Sequence, residues 1–156
     1  MSVVGVISDT HGLLRPEALT ALAGSDYVIH AGDVGDEEIL EALRAVAPLT
    51  VVRGNVDTQP WAQKLPHGDM LEVEGVRIYV VHDLGTLDIT PAAAGVHVVV
   101  YGHSHHPDHF ARGGVVYFNP GSAGPRRFRL PITVGRIEIK NGVPHAKIVE
   151  LNLDDD

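Results

Sequence analysis

Short runs of aliphatic and β-branched residues recur along the chain, and their length and spacing constrain its fold more than any other feature. They are Val3–Ile7, Tyr27–His30, Thr50–Arg53, Val76–His82, Val96–Tyr101, Val115–Asn119, Ile132–Ile139 and His145–Leu151. Runs of this length, bounded by turn residues, predict β-strands. Met70–Glu74 reads as one more strand, joined to the next run through Gly75 as a hairpin. Between the first three runs the pattern is helical. Pro16 suits the first turn of a helix continuing over Glu17–Ala23. Asp36 suits the N-cap of a helix over Glu37–Ala47, in which Ile39, Leu40, Leu43, Val46 and Ala47 share a face. Pro91–Gly95 reads as a short third helix. Alternating strands and helices predict parallel strands with crossover helices in the N-terminal half. The C-terminal half is mostly strand, with turns at Gly113-Gly114, Asn119-Pro120-Gly121 and Asn141-Gly142. Asn141-Gly142 lies between two runs and signals a hairpin. The expectation is a mixed α/β fold with two packed sheets, not an all-parallel wound sheet.

The polar residues follow the strands. Val3–Ile7 leads into Ser8-Asp9-Thr10-His11-Gly12, and Tyr27–Ile29 into His30-Ala31-Gly32-Asp33. Thr50–Arg53 leads into Gly54-Asn55-Val56-Asp57, Ile78–Val81 into His82-Asp83, and Val96–Tyr101 into Gly102-His103-Ser104-His105. In open α/β sheets, ligands bind beyond the carboxyl ends of the strands. Asp9 and His11 are two residues apart, as are His103 and His105, so on extended backbone each pair shares a face. The chain has no cysteine, which excludes thiolate ligation, a thiol nucleophile and a disulfide framework. The oxygens of Asp9, Asp33 and Asn55 with the imidazoles of His11, His82, His103 and His105 suit Mn, Fe, Co, Ni or Zn. Seven donors are too many for one ion that keeps an open position. They suit two ions sharing a bridging carboxylate, which can hold a hydroxide and clamp an in-line displacement at phosphorus.

Asp9-x-His11, Gly32-Asp33, Gly54-Asn55-x-Asp57, His82 and Gly102-His103-x-His105, in this order, resemble the signature of calcineurin-like metallophosphoesterases. Ser8-Asp9-Thr10-His11-Gly12 and Asn119-Pro120-Gly121-Ser122 are similar to the loops of its small bacterial and archaeal YfcE-like phosphodiesterases. The resemblance runs from Val3 to about Ile139. It implies a four-layer α/β/β/α sandwich with two mixed β-sheets and a dinuclear centre of two divalent ions, with Mn2+ preferred and Ni2+, Fe2+, Co2+ or Zn2+ as alternatives. One ion would take Asp9, His11, Asp33 and His105; the other would take Asp33, Asn55, His82 and His103. Asp33 would bridge. Hydroxide held on the metals would attack the phosphoester, with the ions and Asn55 stabilising the developing charge. In many larger members a His follows this Asn and helps protonate the leaving group. Here that residue is Val56, which favours diesters or activated esters over alkyl monoesters. The retromer subunit that resembles this group, with a degraded metal site, supplies the alternative of a protein-binding scaffold. The complete set of donors argues for catalysis instead.

Lys and Arg total 12 against 20 acids, a net charge of -8. Such a field disfavours stable nucleic-acid binding and leaves a small phosphoester as the expected substrate. No apolar run approaches the ~18–20 residues of a membrane span. The N-terminus lacks the basic and apolar regions of a signal peptide. A cytoplasmic protein, with residues 1–153 as one domain and 154–156 as an acidic tail, is expected, and a homo-oligomer is compatible with this. Nucleophile-elbow, Walker and dinucleotide-binding motifs are absent. Several residues remain open. Asp83 either orients His82 or faces solvent; Trp61 either covers the pocket or a base, or anchors its loop. Arg126, Arg127 and Arg129 either contact phosphate or face solvent or another subunit. His30 is expected to be structural or to support the ligands, His97 structural, and His106 and His109 exposed in loops. His67 and His145 carry no pattern.

Overall fold

Among residues 1–153, which the computed structural model describes, ten strands form two five-stranded sheets. The 154–156 tail lies outside the described residues. The first sheet holds β1 (Ser2–Ile7), β2 (Tyr27–His30), β3 (Leu49–Val51), β9 (Thr133–Lys140) and β10 (Val143–Glu150), in the order β10-β9-β1-β2-β3. The second holds β4 (Gly68–Val73), β5 (Val76–Val81), β6 (Val98–Val100), β7 (Asp108–Arg112) and β8 (Val115–Asn119), in the order β4-β5-β6-β8-β7. The strands β1, β2 and β3 run parallel, connected by α1 (Pro16–Leu22) and α2 (Glu37–Arg44). Antiparallel β9 and β10 complete that sheet. In the second sheet β5, β6 and β8 are parallel, with antiparallel β4 and β7 at its edges. Both sheets are therefore mixed.

Strand alternation distributes the apolar residues between layers. Val4, Val6 and Ile29 pack between the sheets against Ile78, Val80, Val98, Val100 and Phe118. On the opposite face of the first sheet, Ile7, Val28 and Val51 meet Ala18 and Leu22 of α1 and Leu40 and Leu43 of α2. The outer face of the second sheet, with Val81, Val99 and Tyr101, is covered by Leu84, Leu87 and Ile89. This fourth layer is a 3-10 turn over Leu84–Thr86 and the loop after it. Asp36 caps α2 by accepting the Glu38 N–H at 3.0 Å, a contact worth about 1 kcal/mol. No helix among the described residues is long and apolar enough to cross a membrane.

Local chemistry explains where elements differ from expectation. The α2 helix stops at Arg44, short of Ala47. Pro48 follows, and the residue before a proline avoids the α region. Val46 donates instead to Leu43 three residues back, at 3.0 Å. Pro91–Gly95 is a turn, not a helix. Five residues ending in a left-handed Gly95 cannot offset helix nucleation. The β7 strand was not expected, because Asp108–Arg112 lacks a Val/Ile pattern. As an exposed edge strand it depends on pairing with β8 across Gly113-Gly114. Both those glycines have positive φ, as do Glu74-Gly75 between β4 and β5 and Asn141-Gly142 between β9 and β10. Two positive-φ residues are what a two-residue turn needs to match the strand twist.

Candidate metal centre

The loops leaving β1, β2, β3, β5 and β6 converge at one edge of the two sheets. Backbone hydrogen bonds Asp9 N to Gly32 O, His11 N to Asp33 O and Gly12 N to Val34 O, at 2.9–3.0 Å, join the first two loops. Gly102 N donates to His82 O at 2.9 Å, joining two loops of the second sheet. The sheets meet where His103 N donates to Asp9 Oδ2 at 3.1 Å and His82 Nδ1 donates to Ala31 O at 2.7 Å. Asp9, His11, Asp33, His103 and His105 all have φ between 47° and 74°. Left-handed backbone costs a non-glycine residue about 1–2 kcal/mol. Five of the positive-φ residues outside glycine fall on candidate ligands, the kind of clustering that functional sites show.

All seven sequence-singled donors lie here. Ligand atoms of Asp9, His11 and His105 fall within 4.8 Å of one another, and so do those of Asp33, His82 and His103. Asp9 Oδ1 is 3.6 Å from His11 Nε2 and 3.5 Å from His105 Nε2. Asp33 Oδ2 lies between the groups, 3.4 Å from His11 Nε2 and 3.2 Å from His82 Nε2. Asn55 Oδ1 is 3.1 Å from His82 Nε2 and 3.3 Å from His103 Nδ1, adding a donor to the second group.

The electrostatics suit a cation. Because His82 Nδ1–H is committed to Ala31, neutral His82 presents an Nε2 lone pair to the oxygens of Asp33 and Asn55. Converging lone pairs repel until a positive charge lies among them. Burial opposes charging His82, but the Asp33 and Asp9 carboxylates outweigh it and raise its pKa. Burial likewise opposes ionising Asp33, yet the facing His82 ring, whose own pKa is raised toward the charged form, and the Val56 N–H hold its pKa at about 2. Asp9 is also lowered: burial is outweighed by His11, His82 and the Ser8 hydroxyl. For His105 burial prevails over the Asp9 charge and lowers the pKa. Asp9 Oδ1 and His105 Nδ1 are buried and have no hydrogen-bond partner among the described residues. Unsatisfied buried groups are costly, and a metal ion coordinated by Asp9 Oδ1 would remove one of these costs. Two carboxylates, one amide and four imidazoles fit divalent transition ions.

Supporting residues were harder to read from sequence. Asp57 is 2% exposed, and its carboxylate accepts N–H groups from Asp33, Val34, Gly35 and Gly54 at 2.9–3.2 Å. It fixes the Asp33 loop against the Asn55 turn. Fully buried His30 donates Nε2–H to Thr10 Oγ1 and accepts the Gly32 N–H at Nδ1, both at 3.0 Å. Burial lowers its pKa to about 4 and keeps it neutral. Asn119 donates to Gly102 O and Ser104 Oγ, and Ser122 donates to Asp9 O. The Asn119–Ser122 turn therefore braces two of the loops. Close packing at two glycines matters as well: a Cβ on Gly54 would overlap Asp33, and one on Gly102 would overlap Ser8 and Asp9.

The residues left open also find places. Ala31, not Asp83, orients His82; Asp83 caps its own 3-10 turn through Gly85 N at 2.9 Å. Trp61 packs beside the core under α1 and α2 and anchors its loop. Arg126 and Arg127 border a cavity of about 200 Å³ that touches His11 and His105, whereas Arg129 lies on a separate hollow with Phe128 and Leu130. His97 Nδ1 accepts the Arg77 N–H at 2.9 Å, a structural role. His106 is exposed in its loop, His109 lies on β7 instead of in a loop, and His145 is exposed on β10. His67 lines a second cavity of about 200 Å³ with Arg53, Asn55, His82, Asp83, Thr86 and His103.

Residues 1–142 match the family model described as the calcineurin-like phosphoesterase superfamily domain. The chain is 35% identical to a probable metallophosphoesterase of Methanocaldococcus jannaschii, over 96% of this chain and 81% of the relative. It is 30% identical to phosphodiesterase YfcE of Escherichia coli, over 84% of each. Among solved structures, an archaeal phosphodiesterase superposes with a TM-score of 0.78 at 20% identity, covering 94% of this chain and 99% of the other. Vps29 of Entamoeba histolytica, solved with Zn2+, superposes with a TM-score of 0.72 at 24% identity, covering 96% and 99%. At these identities the two structures establish the shared fold alone.

Proposed function

We propose, on the premise that the chain belongs to the calcineurin-like phosphoesterase superfamily, that it is a phosphodiesterase with a dinuclear metal centre. The observation that carries this reading is Asp33 Oδ2, within 3.4 Å of His11 and 3.2 Å of His82, at the junction of two donor groups. Asp9, His11, Asp33 and His105 would hold one divalent ion, and Asp33, Asn55, His82 and His103 the other, with Mn2+ the first choice. When bound, such ions supply Lewis acidity and a hydroxide nucleophile at neutral pH.

The chain's own groups do the rest. Asp33 balances charge on both sides of the site. Asn55 turns its carbonyl toward His82 and His103, leaving its amide N–H groups to donate to an equatorial phosphoryl oxygen as charge develops there. Ala31 fixes His82, and Asp57 fixes the loops that carry Asp33 and Asn55. The net charge of -8 disfavours a long polyanion and leaves a small phosphoester as the substrate. Residues 1–153 act in this reading as one cytoplasmic domain.

The Vps29 fold likeness keeps a protein-binding scaffold as the second reading. Chelation followed by Mn2+ add-back decides between them. Hydrolysis of bis(para-nitrophenyl) phosphate is expected to vanish on chelation and return with Mn2+. Inactivity across Mn2+, Ni2+, Fe2+, Co2+ and Zn2+ would favour the scaffold.

A further inference from the structure

We propose that His67 donates the proton to the departing alcohol and that the cavity it lines is the leaving-group subsite; this deepens the phosphodiesterase reading and rests on it. The reaction needs such a group because an alkoxide leaves poorly unless it is protonated. The residue after Asn55 cannot serve: Val56 is 37% exposed but carries no transferable proton.

Two cavities of about 200 Å³ flank the donor cluster. The one beside His11 and His105 is bordered by Pro125, Arg126 and Arg127. Guanidinium groups stay protonated at any working pH, so this side can attract a phosphoryl charge but cannot transfer a proton. The other cavity is lined by Arg53, Gly54, Asn55, His67, His82, Asp83, Thr86 and His103. His82 and His103 belong to the proposed ligand set. Asp83 already accepts the Gly85 N–H, and the Thr86 hydroxyl donates to the Asp83 carbonyl at 2.7 Å. His67 is the one imidazole of this lining outside the ligand set, and it is exposed to a ligand.

Its position is fixed by the fold. Arg53 N donates to Pro66 O at 2.8 Å, so the residue before His67 is tied to the start of the Asn55 turn. Arg53 itself is held by Gln63 at 3.0 Å through Nη1, while its buried Nε–H has no acceptor among the described residues.

The step balances without another reactant. The attacking oxygen forms a bond to phosphorus as the bond from phosphorus to the leaving oxygen breaks. The electron pair stays on that oxygen, the His67 N–H delivers its proton there, and the imidazole is reprotonated from solvent.

His67→Gln, assayed on a series of aryl and alkyl methyl phosphodiesters with the full-length chain and Mn2+, tests this. Gln retains hydrogen bonding but cannot transfer a proton. For phenyl and alkyl leaving groups kcat is expected to fall about 100-fold. For para-nitrophenyl, whose anion leaves unaided, it is expected to stay within about twofold. Bound Mn2+ and Tm should match wild type, since His67 is exposed and outside the ligand set. A uniform fall across the series, no fall at all, or reduced Mn2+ content would overturn the assignment. A wild type inert toward every diester would overturn the phosphodiesterase reading and this proposal together.

Discussion

Asp33→Asn is expected to lower kcat/KM on bis(para-nitrophenyl) phosphate by at least about 10³-fold and to reduce bound metal in the same preparation. The substitution keeps the shape of the side chain, and Oδ1 can still accept the Val56 N–H at 3.0 Å. What disappears is the negative charge facing His11 at 3.4 Å and His82 at 3.2 Å. Bridging by a carboxylate offsets charge on two cations at once, so its loss affects both halves of the site. Loss of several kcal/mol of electrostatic stabilisation corresponds to the stated factor. Steady-state kinetics beside elemental analysis measures both effects. Wild-type rate with full metal content would contradict the bridging assignment.

Asp57→Ala is expected to destabilise the chain by about 3–5 kcal/mol, although Asp57 is not a proposed ligand. Its carboxylate accepts four backbone N–H groups, from Asp33, Val34, Gly35 and Gly54, at 2% exposure. An unsatisfied buried donor costs about 1–3 kcal/mol, and relaxation of the loops recovers part of the sum. Calorimetry should record a Tm lower by about 10 °C. Asp57→Asn, which keeps one acceptor oxygen, should fall between the two. A Tm within about 2 °C of wild type for Asp57→Ala would show that the loops are held by other contacts.

The sequence was legible wherever side-chain type follows backbone period. Val3–Ile7 and Val96–Tyr101 announce buried strands, and the polar groups after them could only lie at strand ends. The loops bring them into two groups of candidate donors with Asp33 Oδ2 between them, and that these groups hold two ions is the proposal. Asp57 could not be weighted from sequence, because a carboxylate that accepts four amides reads like any surface aspartate. The same limit applies to His82: the neighbouring Asp83 looked able to orient it, but the partner is a carbonyl 51 residues earlier. Backbone acceptors carry no side-chain signature. β7 escaped notice for a related reason. Its Asp108–Arg112 residues are mostly polar and exposed, with no Val/Ile pattern, and the strand exists because β8 offers a free edge. Pro91–Gly95 fails in the opposite direction, with helix-forming alanines in a segment too short to nucleate.

One chain is expected to hold two ions through a shared carboxylate, that of Asp33. Calorimetric titration of the chelated full-length chain with Mn2+, checked by elemental analysis, tests it most directly. Two equivalents per wild-type chain are predicted; saturation at one equivalent, or no binding, would contradict the dinuclear account.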